Sequence, residues 1–314
     1  MPPRQAPTGK SVAKVAKPSE QALAIHNQRM GFLAEHAGAG TENVGLRDVI
    51  MPRFKLLQQL SPEVQRRRPE YIEGAEAGMI INVATQRLYS SIDVVPAAYI
   101  HHYVEWRPNR GGFVADHGDK PQVMDAVVRR DDKNFDILRN GNIIIPTPTW
   151  YVIVVGGVDA RTGQYVEESL DPGIIPMPRT MSKGSKSWMS RATNEKAEHP
   201  EHGKFQVPLF YRSWTLEPFE RTDENNSWFV WVAKAGPSVV QTVAEGDDRY
   251  IEGAAPEEQP LVLPDDTMQR AIRFRDMVQS GQVRATADHF ADEDQGVGGS
   301  NGGAEQRGGD ERPM

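Results

Sequence analysis

The sequence predicts a mainly β protein with flanking helices, either an OB-like barrel or a related antiparallel β domain. Three observations carry this. Between residues 78 and 234, runs rich in Val, Ile, Tyr and Trp alternate with hairpin turns. All six Trp fall between Trp106 and Trp231, and residues 99–231 hold 17 of the 24 aromatic side chains. Core and stacking surface must therefore both come from this stretch. Helical patterns appear only at its borders and at one place inside it.

Read in order, residues 1–19 are Pro, Ala, Lys and Ser without periodicity, which predicts a disordered N-terminus. Ser19 caps a helix of about 18 residues within segment 20–46, with Leu23, Ile25, Met30, Phe32 and Leu33 as its apolar positions and Gly38 and Gly40 as its stop. Segment 47–240 is the β-rich domain. It opens on a short apolar run, residues 50–57, broken by Pro52, and Ser61-Pro62-Glu63 opens a helical turn. Residues 79–83 predict a strand and residues 85–87 its turn. Residues 92–106 predict a long strand, and Pro108-Asn109-Arg110-Gly111-Gly112 a hairpin turn leading to Phe113. Residues 150–155 are continuously apolar, which predicts a buried strand. It turns back through residues 159–163 into 164–170. A third hairpin joins 209–218 to 228–234. A helix interrupts the β texture at residues 180–197, between Pro178 and Pro200. Segment 241–290 reads as a linker and a helix over 265–279. Residues 291–314 hold seven Gly and six acids, a disordered acidic tail.

The net charge of −7 is unevenly spread. Residues 1–46 carry five Lys/Arg against three Asp/Glu, residues 47–240 carry 24 of each, and residues 241–314 carry seven against sixteen. A histone-like grip on nucleic acid through net charge is excluded. Cysteine is absent, so there is no disulfide framework, Cys-zinc site or thiol nucleophile. No apolar run approaches the ~20 residues of a membrane span.

Enzyme signatures are mostly missing. Neither Gly9-Lys10 nor Gly203-Lys204 sits in a phosphate-binding loop, and no G-x-S-x-G elbow occurs. His199-Pro200-Glu201-His202 offers two imidazoles beside a carboxylate, but without a third ligand it reads as a surface loop. His101 and His102 point to opposite faces of one strand. No catalytic residue, metal site or cofactor is expected.

The residues that do suggest a chemistry are basic and aromatic. Residues 178–191 contain Arg179, Lys183, Lys186 and Arg191 with Trp188, several hydroxyls and no acid. Lys183, Lys186 and Ser190 share a helical face, with Arg191 nearby, and such a stripe tracks phosphates. The same spacing also serves an ordinary solvated helix whose Trp188 lies in the core. A second group is Tyr99, Tyr103, Trp106, Arg107, Arg110 and Phe113. Tyr99, His101 and Tyr103 alternate onto one strand face, either as a stacking platform for bases or as an aromatic ladder within the sheet. Arg53 and Lys55 with Arg66-Arg67-Arg68 form a third basic group, or plain solvated charge. An acidic tail beside basic surfaces competes with nucleic acid for them or docks on partner proteins.

Several pieces carry a resemblance: Met51-Pro52-Arg53-Phe54-Lys55-Leu56-Leu57-Gln58 with Leu60-Ser61-Pro62-Glu63; Glu73-Gly74-Ala75-Glu76-Ala77-Gly78; Trp106-Arg107-Pro108 with Gly111-Gly112-Phe113; Lys183 to Trp188; and Trp228-Phe229-Val230-Trp231. Together, over about residues 47–235, they resemble a family of tailed-bacteriophage single-stranded DNA-binding proteins. The resemblance implies a replication or recombination protein of the host bacterial cytoplasm, without catalysis or cofactor. Its partners would be single-stranded DNA and, through the acidic tail, replication or recombination proteins. The tail departs from this functional class in ending Asp310-Glu311-Arg312-Pro313-Met314, with Met314 its one apolar tip residue. The expected function is binding of single-stranded DNA with little sequence preference. An assembly protein with protein-only contacts and a strand-annealing protein are the alternatives.

Overall fold

The computed structural model describes residues 20–36, 39–40, 51–108, 112–131, 135–224 and 226–290. The chain divides into two units, residues 1–49 and 50–314. In the first, α1 spans Glu20–Glu35, and Met30, Phe32 and Leu33 are exposed. Ser19 and Gly38, expected as its cap and stop, lie outside the described residues, as do residues 1–19 and 291–314.

The second unit is built on two long antiparallel strands, β3 (Arg87–Trp106) and β7 (Ile143–Asp159), paired from Tyr89↔Asp159 to Trp106↔Ile143. Both are rich in β-branched and aromatic residues, which suit a pleated surface. Twenty residues at about 3.3 Å each would make a ~66 Å strand, too long for a compact unit if straight. Register shifts at Tyr89/Ser91, Asp93/Val94 and Pro96/Ala98 bend it. Pro96 sits at one of these irregularities, where a ladder tolerates a residue without N–H.

The other edge of β3 is shared by three partners in turn: β2 (Ile80–Asn82) at residues 87–89, β11 (Arg212–Thr222) at 92–94 and β4 (Phe113–Asp116) at 104–106. The other edge of β7 is shared by β6 (Asp136–Leu138) at 143–144 and β8 (Tyr165–Pro176) at 149–158. Beyond them lie β1 (Phe54–Leu56) on β2, β5 (Val127–Arg130) on β6 and β12 (Ser227–Ser238) on β11. A separate hairpin pairs β9 (Lys196–His199) with β10 (Gly203–Gln206). The expectation of a mainly antiparallel β fold with helices holds, in its open form. One parallel bridge, Arg53↔Ile174, brings the start of β1 against β8, but the sheet is not closed into a barrel.

Alternation along β7 divides the core. Trp150, Val152 and Val154 face one side with Phe54, Tyr89, Ile92, Trp214 and Trp231. Tyr151 and Ile153 face the other with Val95, Val104 and Trp106. The first side is covered by α2 (Ser182–Asn194) through Met181, Trp188 and Ala192. The second is covered by α3 (Thr267–Gln279), the single turn α4 (Ala287–Phe290) and the chain around them. From Leu263 onward, segment 241–290 is thus an integral cover of this core. Leu263, Phe274, Val278, Val283 and Phe290 are each at most 5% exposed. At about 1.5–3 kcal/mol per large side chain their gross burial is on the order of 8–15 kcal/mol, as large as a typical net stability of ~5–15 kcal/mol.

A buried polar chain fastens this cover. His102 is bonded through Nδ1 to Asp116 at 2.8 Å and through Nε2 to the Tyr151 hydroxyl at 3.2 Å. The Ala285 amide donates to the same hydroxyl at 3.3 Å. Burial pushes the Tyr151 phenol up to about 12.

Candidate nucleic-acid interface

The stretch expected to be helical over 180–197 forms a short turn at Arg179–Met181 and then α2. Ser185, Trp188 and Ala192 are its buried positions, three and four residues apart. Trp188 lies against Trp150, ring centroids 3.8 Å apart at 19°, and meets Trp214 edge-on at 6.1 Å. Trp150 Nε1 donates to Ser185 Oγ at 2.9 Å. Gly184 lets the helix approach β12, since a Cβ there would stand 2.6 Å from the Trp231 carbonyl oxygen. With this side fixed to the sheet, Lys183, Lys186, Ser190 and Arg191 are turned outward and exposed.

Beside the helix runs the stripe Tyr99, His101 and Tyr103 of β3, each half-buried. Across the ladder stand Trp150, Pro148 and Pro146, so the floor next to the stripe is apolar. Tyr99 meets Trp150 edge-on at 5.1 Å, and His101 and Tyr103 have ring centroids 5.2 Å apart. Helix and stripe are electrostatically in touch. Burial, and after it the Lys186 ammonium and His102, holds the His101 imidazole below its ordinary range. Burial raises the Tyr99 phenol, opposed by its hydrogen bond with Ser185 of α2. At the far end of the stripe, Glu105 accepts from Asn142 Nδ2 at 2.5 Å and pairs with His117 at 2.8 Å. Burial opposes the charged carboxylate, but the hydrogen bonds from Asn142, His117 and Asn140 outweigh it and keep Glu105 below the usual range.

The structure therefore sets Lys186 beside the Tyr99–His101 stripe with Lys183 on the same outer side of α2, turns Arg191 toward β11 and β12 over Trp214, and removes other expected contacts. Trp188 is 1% and Trp106 4% exposed, so both are core residues with no face for a base. Trp106 packs edge-on to Phe113 at 6.0 Å, and Phe113 in turn stacks on Phe290. Phe113 thus serves the cover rather than a platform. Arg53 is 3% exposed and donates to the His289 carbonyl at 2.8 Å. Lys55 is buried in an ion pair with Glu63 at 3.0 Å. Neither can reach a phosphate, because each guanidinium or ammonium is turned inward to a partner. Arg66, Arg67 and Arg68 are exposed without them. Arg179 is half-buried with its guanidinium 4.6 Å from the Phe135 ring centroid. Arg107 is exposed at the end of the β3–β4 hairpin, and Arg110 lies outside the described residues. The rings of His199 and His202 stack at 4.7 Å across the β9–β10 turn. Among the described residues no three His, Cys, Asp or Glu side chains gather as metal ligands, and no helix is long and apolar enough to cross a membrane.

The sequence missed one feature. At the C-terminal end of α2, Arg191 lies 5.0 Å from the Trp214 ring centroid beside an open cleft. The two residues are 23 apart on different elements, and no local pattern links them.

Fold and surface define a mainly antiparallel β protein with a basic helix laid beside a half-exposed aromatic stripe. The family model described as Pam3 phage gp34-like protein matches residues 25–250, and the chain belongs to that family. It is accordingly a bacteriophage protein, as the resemblance implied. No curated protein and no solved structure matches the chain.

Proposed function

We propose that the protein binds single-stranded DNA with little sequence preference and protects it during phage DNA replication or recombination. The observation that carries this reading is the meeting of two groups separated by about eighty residues: Lys183 and Lys186 on the outer side of α2, and Tyr99, His101 and Tyr103 of β3 next to it. Cations set beside flat rings suit a flexible strand, whose phosphates are neutralised while its bases stack without regard to identity. The domain core, residues 47–240, is charge-neutral by count, so attraction is local to this surface and not a property of the whole chain. No step is catalytic and no cofactor takes part. The acidic tail competes for the basic helix or recruits replication and recombination proteins.

The test is titration of labelled oligo-dT at several salt concentrations. The expected result is binding that weakens with salt, with a log–log slope of about −0.7 for each phosphate neutralised. Absence of binding at low salt refutes the reading. The alternative, an assembly protein with protein-only contacts, draws on the exposed Met30, Phe32 and Leu33 of α1. It predicts no binding of oligo-dT at any salt.

A further inference from the structure

Where α2 ends, an open cleft of about 610 Å³ separates its last turn from β11 and β12. That lies within the ~300–1,000 Å³ range of small-molecule sites. Ser190, Arg191, Asn194, Glu195, Arg212, Trp214 and Ala235 line it. Arg191 is immobilised there. Its guanidinium sits over the Trp214 ring at 5.0 Å and its Nη2 donates to the Ala233 carbonyl. The residue is nonetheless exposed, so the guanidinium is held against the indole and still open to solvent. A planar cation fixed in this way stacks on a second flat π-system, a contact that the ammonium of lysine cannot reproduce.

The remaining charges do not oppose an anionic strand. Glu195, the one acid in the lining, accepts from Arg212 Nε with both carboxylate oxygens at 2.7 Å. Arg212 is fixed further by the Gly236 carbonyl at 2.6 Å. With this pair neutralised, Arg191 leaves the cleft positive. Ser190 and Asn194 add a hydroxyl and a carboxamide, which donate and accept alike and so suit any base edge. Lys183, Lys186, Ser190 and Asn194 fall on one side of α2, over about 16 Å of helix at 1.5 Å per residue. That row leads from the cationic start of the helix into the cleft.

We propose that this cleft takes one nucleobase of a bound strand, stacked on the outer face of Arg191, while Lys183 and Lys186 neutralise the adjoining phosphates. The proposal rests on the nucleic-acid reading above and assigns Arg191 to a base, where the sequence suggested only a phosphate. Arg191→Lys keeps the charge and removes the plane. Its dissociation constant is measured against oligo-dT and against an abasic strand of equal length, with melting temperature as the check on folding. The expected result is a five- to tenfold loss on oligo-dT, at the lower end of what one stacked base contributes, with the abasic strand bound within about twofold of the parent. Ala235→Leu narrows the same cleft from β12 and keeps Arg191 itself, and the same selective loss is expected. No loss on oligo-dT in either variant, or equal losses on both strands, overturns the base site while leaving the parent's DNA binding intact. A parent protein that binds neither strand refutes the DNA-binding reading itself, and the base site falls with it.

Discussion

Replacing Trp188 by alanine separates its two roles most sharply. The indole is 1% exposed, stacked on Trp150 and edge-on to Trp214. Truncating a buried Trp to Ala costs about 3–5 kcal/mol. Aromatic pairs contribute about 0.5–1.5 kcal/mol beyond their buried area, and two such contacts place the loss toward the upper end. Trp188 Nε1 has no hydrogen-bond partner among the described residues, so no bond is lost to add to this. For a domain of this size the change corresponds to a fall in melting temperature on the order of 6–20 °C. Urea denaturation should show a lower midpoint with an unchanged slope, because the native fold is weakened and not replaced. Trp188→Phe, which keeps a ring in the stack but still removes buried volume, should cost less than the alanine variant. Oligo-dT affinity measured well below the melting temperature should be unaltered in the phenylalanine variant. A Trp188→Ala protein that melts within about 1 kcal/mol of the parent yet binds DNA poorly would refute the core assignment and restore the indole as a platform.

Four further outcomes are expected. The double variant Lys183→Ala/Lys186→Ala should change stability by no more than roughly 0.5 kcal/mol per site, yet flatten the salt dependence of DNA binding by about 1.4 in log–log slope; an unchanged slope contradicts phosphate contacts from α2. Deleting residues 291–314 spares Phe290 and should leave the melting temperature intact while tightening oligo-dT binding; weaker binding would mean that the tail assists. Gly184→Ala, which in an open helix would stabilise by about 1 kcal/mol, should instead destabilise by about 1–3 kcal/mol, because the new methyl meets the Trp231 carbonyl; a higher denaturation midpoint counts against the close approach. Finally, the folded protein holds His101 below its ordinary pKa, so the unfolded chain binds the proton more readily, and stability should fall as pH drops through about 6.5; His101→Asn should lessen that decline, and identical pH–stability curves would exclude the contribution.

Much of the fold was legible because its signals are local. The hairpins through 159–163 and 220–226 and the helix starting near residue 180 are written in turn residues and spacing. The limits of the long strands were not. β7 begins at Ile143, yet Pro146 and Pro148 argue against a strand there. They are tolerated because β6 pairs with β7 only as far as Ile144 and β8 pairs with it only from Thr149, so β7 has no second neighbour strand to satisfy at those positions. β1 was hidden by its brevity and by Pro52. In the site, the outward row of Lys183 and Lys186 followed from helical periodicity alone. The fate of Arg53 did not, since the carbonyl that takes its guanidinium belongs to His289, 236 residues away. Lys55 looked like surface charge because nothing in the sequence marks Glu63 as its buried partner.

The cover over the second face of the sheet also dictates the order in which the molecule can be completed at the ribosome. Tyr151, Ile153 and Trp106 emerge long before Leu263, Phe274 and Phe290, which close over the same core. Until the final stretch of the chain has left the exit tunnel, the β3–β7 ribbon carries an uncovered greasy surface with its Tyr151 hydroxyl lacking the Ala285 amide. At synthesis rates of about 5–20 residues per second, the more than one hundred residues between Ile153 and Leu263 amount to several seconds of exposure. During that interval a nascent chain stalled or cleaved before residue 263 is a substrate for chaperones and proteases, whatever its β strands have already achieved.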